Sequence, residues 1–149
     1  MRALPLVAVT LTAALLAAGC ARQEDPKLPS ACNAATPVTV ERALEAAPGE
    51  VTLEGTSLSE CFTDNAEAAD VQRIGGIYVA VAGKLAAEAQ RDPDGPAATQ
   101  LGYLVGATRR GAGGTQGIHD ELRRRLEQEL QSADSPAARA GEEAGLAGG

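Results

Sequence analysis

The stretch from residue 66 to residue 90 reads AEAADVQRIGGIYVAVAGKLAAEAQ, and its pattern decides the predicted fold. Large apolar residues recur in it at steps of three and four, which is the spacing of one buried face on an α-helix. The members of this face are Val71, Ile74, Tyr78, Val81 and Leu85. Small residues run beside them and would let a neighbouring helix approach closely. The sequence therefore predicts one long helix at the centre of an all-α domain.

One helix is predicted before this stretch and one after it. Thr36 and Pro37 have the residue types of an N-cap and a first helical position, and a helix from there would end at Pro48. Residues 92–95 read DPDG, which is typical of a turn. A further helix would then begin near Pro96. Its apolar residues are Leu101, Leu104 and Val105, and it carries Gly102 and Gly106 four residues apart.

A last helix is predicted after the glycine-rich break at residues 111–114, with Thr115 as its cap. Its apolar residues recur at four-residue steps and would line one face. They are Ile118, Leu122, Leu126 and Leu130. The predicted fold class is therefore all-α, a small antiparallel bundle of three to four helices over residues 36–131.

Less ordered structure is predicted for two segments near the ends of the chain. Residues 132–149 consist mostly of Ala, Gly, Glu and Ser, with Leu146 as the one large apolar side chain. Such a segment buries too little surface to offset its ordering, so we expect a disordered tail. Residues 20–35 are polar after the first cysteine and contain Pro26 and Pro29, which is typical of a flexible tether.

The first 20 residues have the features of an export signal. Arg2 supplies a positive charge, an apolar stretch follows to Ala17, and residues 13–20 read AALLAAGC. The apolar stretch is shorter than the roughly 20 residues of a membrane-spanning helix. This segment resembles the lipobox signal peptide of bacterial lipoproteins, although Ala17 stands where that family usually has leucine. An ordinary secretory signal is the alternative.

The resemblance implies that residues 1–19 are removed and that Cys20 is lipidated. The lipid would then hold the protein on the extracytoplasmic face of a cell membrane, or on the outer membrane if the source has two. The chain has three cysteines, so lipidation of one leaves Cys32 and Cys61 as a possible pair. Disulfides persist outside the cytoplasm, and this one would stabilise the fold by roughly 3 to 4 kcal/mol. Two free thiols are the alternative.

Composition argues against several classes of partner and cofactor. The formal net charge of −7 disfavours nucleic acid. With two Tyr, one Phe and no Trp, a stacking platform for sugars or bases is not expected. The cysteines and His119 lack the short spacing of a zinc site, and residue 12 of a calcium loop from Asp92 would be Tyr103. We therefore expect no metal and no cofactor.

Four residues form the one weak candidate site for a ligand. Arg109 and Arg110 precede the glycine-rich break, and with Tyr103 and His119 they could contact a small molecule or anion. His119 is the single histidine, and no partner for nucleophilic catalysis is evident. The sequence predicts a non-catalytic interaction module in the cell envelope. Its partner would be another envelope protein or a second copy of the chain. A ligand-binding lipoprotein is the alternative, and an envelope hydrolase is a more distant one.

Overall fold

The computed structural model describes residues 28–63 and 66–149, and these residues are mostly helical. Their elements are α1 (Ser30–Ala34), α2 (Pro37–Leu44), β1 (Thr52–Leu53), β2 (Thr56–Ser57), a 3-10 helix (Leu58–Phe62), α3 (Ala68–Ala89), α4 (Pro96–Ala112), α5 (Ile118–Ser132) and α6 (Pro136–Gly148). The predicted leader, Cys20 and the first part of the predicted tether lie outside the described residues. The mainly helical fold class is confirmed.

Helix α3 is the predicted central helix, and its apolar face is buried. Val71, Ile74 and Tyr78 are fully inaccessible to solvent. The Tyr78 hydroxyl donates a 3.0 Å hydrogen bond to the carbonyl oxygen of Leu58 in the 3-10 helix. Burial raises the pKa of Tyr78 well above its usual range, because the phenolate would have to exist without water. The face predicted from the sequence is therefore buried in the core, where α3 packs chiefly against α4 and α5 and contacts the 3-10 helix through Tyr78.

Helices α2, α4 and α5 also confirm the predicted starts and faces, with one exception. Thr36 caps α2, since its hydroxyl accepts from the Thr39 amide. The predicted turn before α4 is present, and in it the Gly95 amide donates to the Asp92 carbonyl. The prediction that Thr115 caps α5 is wrong. The N-cap is Gly117, whose φ of 73° lies in the region that only glycine adopts without strain.

The predicted tether is wrong from residue 28 onward. Leu28, Ala31 and Cys32 are buried, and α1 begins directly after Pro29. The Cα atoms of Cys32 and Cys61 lie 5.3 Å apart and their sulfur atoms are bonded, so the predicted pair is present. This bond holds α1 against the 3-10 helix, and Ala31 of α1 is buried in the core.

The predicted disorder of residues 132–149 is also wrong. Helix α6 covers Pro136–Gly148, and its N-cap Ser135 accepts a hydrogen bond from the Ala138 amide. Its buried residues are Ala138, Gly141 and Gly145, so it packs without large side chains. The composition suggested disorder because apolar bulk is missing. The helix is instead stabilised by close backbone contact with α4.

The contacts also give the relative direction of two helix pairs. Gly141 of α6 lies against Thr99 of α4, and Gly145 lies against Tyr103, so α6 runs parallel to α4. Near one end of α3, Gly75 lies against Leu122 of α5. Near the other end, Gln90 donates to Ser132, so α3 and α5 are parallel as well. Each of these four helices thus packs against a helix that does not directly precede or follow it in the sequence.

Candidate functional site

The surface between α4 and α6 brings four glycines into reciprocal contact. A methyl group on Gly102 would overlap the carbonyl oxygen of Ala138, and one on Gly106 would overlap that of Glu142. From the other helix, a methyl group on Gly141 would overlap the carbonyl oxygen of Thr99. Gly145 stands in the same relation to the Tyr103 carbonyl. The two backbones therefore approach to a distance that only glycine permits.

Each helix carries its two glycines four residues apart. This spacing places them on one face, one helical turn from each other. The face of α4 is thus a notched groove, defined here by Thr99, Gly102, Tyr103, Gly106 and Ala107, and α6 occupies it. The sequence contained this signal twice, in residues 102 and 106 and again in residues 141 and 145. The second pair was missed because the tail has so few apolar residues.

Two arginines of α4 hold α6 in place through polar contacts. Arg109 forms ion pairs with Glu142 of α6 and with Glu127 of α5, the latter at 2.8 Å. Arg110 donates to the carbonyl oxygens of Leu146 and Ala147, which lie in the last turn of α6. A cation at this position also complements the negative end of the helix dipole. Both arginines predicted as ligand contacts therefore contact this chain's own groups.

The C-terminal end of α6 is fixed by a further contact. Ser59 of the 3-10 helix is buried and donates its hydroxyl hydrogen to the carbonyl oxygen of Gly149. Gly149 itself is buried against Ala107. On the same helix, Gly111 of α4 lies so close to the Ser59 carbonyl oxygen that a methyl group would overlap it. The ends of α4 and α6 and the 3-10 helix thus meet at Ser59.

A charged cleft of about 360 Å³ lies where α4, α5 and α6 meet. Its charged lining consists of Arg109, Glu127, Asp134, Arg139 and Glu142. Arg139 pairs with Asp134, and this hydrogen bond holds the pKa of the Asp134 carboxyl below its usual value. Because each arginine already has a carboxylate partner, an anion entering the cleft would have to displace one.

Tyr103 and His119 do not contact the same groups as the two arginines. The Tyr103 hydroxyl accepts a 3.3 Å hydrogen bond from the Val51 amide, and its side chain is buried. His119 is also buried, with Nε2 2.8 Å from the Thr63 carbonyl oxygen and its ring edge-on to Phe62. The single histidine thus lies in the interior of the domain. The four residues of the weak candidate site thus contact different partners.

A second, half-open groove of about 350 Å³ is formed by α1, α2 and the first strand. Alanines 31, 34, 35 and 43 supply most of its apolar wall, and Arg42 and Glu54 stand among its polar residues. On the same helix α2, Val38 is 62% exposed. Among the described residues, Val38 and Leu146 are the large apolar side chains that face solvent.

Two kinds of feature do not occur within residues 28–63 and 66–149. This part of the chain contains no group of three or more His, Cys, Asp or Glu side chains that could hold a metal ion. None of its helices is both long enough and apolar enough to cross a membrane.

In comparisons with known proteins, the chain matches no protein-family model, no curated protein and no solved structure.

Proposed function

We propose that the protein is a lipoprotein anchored at Cys20, whose helical domain is a non-catalytic interaction module on the extracytoplasmic face of the cell envelope. The observation that carries this proposal is the leader that ends in residues 13–20, AALLAAGC. The bonded pair Cys32 and Cys61 adds support, because disulfides persist in oxidising compartments. With two or three acyl chains on Cys20, attachment to the membrane would be stable.

The anchor would keep the domain close to the membrane. Cys20 precedes Leu28, the first described and buried residue, by a segment that spans at most roughly 28 Å when fully extended. In this proposal residues 20–27 are the tether and residues 28–149 form the domain. Helices α3 to α6 would alternate in direction along the chain as an up-and-down bundle.

The first experiment tests the anchor. In cells that express the full chain, Cys20→Ser should move the protein from the membrane fraction to the soluble fraction and abolish incorporation of labelled palmitate. Cys32→Ser is the matched control, because it removes a cysteine of the domain and should leave palmitate incorporation unchanged. Membrane retention of the Cys20→Ser variant would overturn lipid anchoring.

The second experiment tests the interaction module. A photo-crosslinking residue at Val38 or at Leu146 would report on what touches the two exposed apolar side chains in intact cells. We expect a discrete adduct of defined mass from at least one position. The same residue at Gly76, an exposed site on α3, is the control. Crosslinking that is equal and diffuse at all three positions would contradict a specific interface.

The alternative function, binding of a small molecule or an anion, has less support from the contacts. Arg109 and Arg110 are engaged with Glu127, Glu142 and the end of α6. A binder of anions would be expected to leave at least one guanidinium group free for its ligand.

A further inference from the structure

Helix α6 is attached to the domain almost entirely through α4. It packs along the notched groove, and its contacts with the other described elements are minor. The polar exceptions are few, such as the bond from Ser59 to Gly149. A helix that depends on one neighbour can leave that neighbour without disturbing the remaining contacts of the fold.

The folded core contains little of α6. Among its large fully buried side chains are Tyr78, Phe62, Leu44, Ile74 and Leu126, which come from other elements. From α6 itself, Ala138 is the apolar side chain that is buried in the core. The domain should therefore keep its fold when α6 is released, and α6 should open at lower free energy than α3.

Released α6 would have little reason to remain helical alone. It has 13 residues, and glycine occupies two of its interior positions, 141 and 145. Isolated helices of this length are marginal in water, and each interior glycine costs about 1 kcal/mol relative to alanine. Its stable helical form therefore requires a notched groove such as that of α4.

The groove selects its occupant by shape and by charge. It accepts a helix that has small residues four apart, a carboxylate opposite Arg109 and a C-terminal turn opposite Arg110. The segment shown to meet all three conditions is α6, and every copy of the chain carries it. The connection from α5 to α6 is short, running from Ala133 to Ser135. A short connection is the type of hinge that favours exchange of the following element between chains.

We propose that α6 is exchanged between two copies of this chain, so that the notched groove of α4 is also its self-association surface. The inference deepens the proposed function by naming the partner as a second copy. Confinement of anchored copies to one membrane would raise their effective concentration and favour exchange. Exchange itself requires only α4 and α6, so it can be tested without the anchor.

The test mixes two full-length variants purified in mild detergent. Gly102→Leu/Gly106→Leu blocks the groove but leaves α6 intact, whereas Gly141→Leu/Gly145→Leu blocks α6 but leaves the groove intact. Neither can dock α6 within one chain. In the mixture, the intact α6 of the first variant can enter the intact groove of the second. With one variant labelled with ¹⁵N, native mass spectrometry distinguishes the heterodimer from either homodimer.

We expect the heterodimer signal in the mixture to exceed the dimer signal of either variant alone by about tenfold or more. A milder pair covers the case in which the leucine variants do not fold. Arg109→Glu and Glu142→Arg each place like charges between α4 and α6, and mixing them restores opposite charges only in the exchanged dimer. The chain that carries both changes restores opposite charges within one copy and between copies alike, so it should associate like the parent chain and is the matched control.

Absence of a heterodimer from both mixtures, with normal far-ultraviolet helicity in at least one pair, would overturn the exchange. That result would leave the proposed function intact, because anchoring and crosslinking are measured independently in cells. Conversely, membrane retention of the Cys20→Ser variant would overturn the proposed anchor and would not alter the mass spectra.

Discussion

The backbone amide of Val51 donates a hydrogen bond to the hydroxyl oxygen of Tyr103, 52 residues further along the chain. The two residues are buried, so this phenol joins the segment before β1 to the middle of α4. Tyr78 makes the corresponding link from α3 to the carbonyl oxygen of Leu58. In a chain with few aromatic residues, both tyrosines serve as polar connections through the core.

The first prediction concerns these two hydroxyl groups. Tyr103→Phe leaves the Val51 amide buried without its acceptor, and should lower the free energy of unfolding by about 1 to 3 kcal/mol. Tyr78→Phe should have a similar effect through the Leu58 carbonyl. Urea denaturation followed by circular dichroism measures both changes. An unchanged midpoint for Tyr103→Phe would contradict the role assigned to its hydroxyl.

The second prediction concerns the glycines between α4 and α6. Gly102→Ala and Gly145→Ala each force a methyl group onto a backbone carbonyl and should destabilise α6 by about 1 to 3 kcal/mol. Hydrogen exchange should quicken in residues 136–149 and change little in α3. Gly76→Ala is the matched control, because nothing lies within 4 Å of an added methyl group there. It should stabilise α3 by about 1 kcal/mol through helix propensity.

The third prediction concerns the disulfide. Replacing Cys32 and Cys61 together by alanine should lower the free energy of unfolding by about 3 to 4 kcal/mol, chiefly by freeing the unfolded chain. Thermal or urea unfolding of the purified protein measures the difference. Cys20→Ser, which leaves the domain cysteines in place, should unfold like the parent chain. Equal stability of the double variant and the parent would show that the bond adds nothing.

The fourth prediction concerns pH. The Arg139 guanidinium lowers the pKa of Asp134 in the folded protein. The stabilisation from this pair is therefore fully present above the pKa of an unfolded aspartate, about 3.9, and is lost as the pH falls through the lowered folded value. Asp134→Asn should reduce the acid dependence of stability in that window. In a double-mutant cycle with Arg139→Gln, the coupling energy should vanish at the acid end and return near neutral pH.

The sequence predicted the elements that carry large apolar side chains. Val71, Ile74 and Tyr78 identified α3, and Leu122 and Leu126 identified the buried face of α5, because periodic bulk marks one side of a helix. The same reasoning failed for α6, whose packing surface is made of Gly141 and Gly145. Close backbone contact leaves no hydrophobic period, so composition alone indicated disorder.

The site was predictable only as far as residue types allow. Arg109 and Arg110 form specific contacts in the structure, but these contacts hold α6 through Glu142 and the last carbonyls of that helix. That role depends on a helix whose existence the sequence pattern did not indicate. For His119, the burial against Phe62 depends on the 3-10 helix, which no linear spacing specifies.

The bond between Cys32 and Cys61 also determines how the domain would carry mechanical load. A pull applied at the N-terminal side of Cys32 passes through the sulfur atoms to Cys61, and residues 33–60 bear none of it. The tension would enter the domain at Cys61, at the end of the 3-10 helix and next to Phe62, whose ring stacks with that of Tyr78 in α3. Reduction of the disulfide would reroute the force through residues 33–60, which contain α2 and the two-residue strands β1 and β2. In the oxidised protein, α2, β1 and β2 carry none of this force.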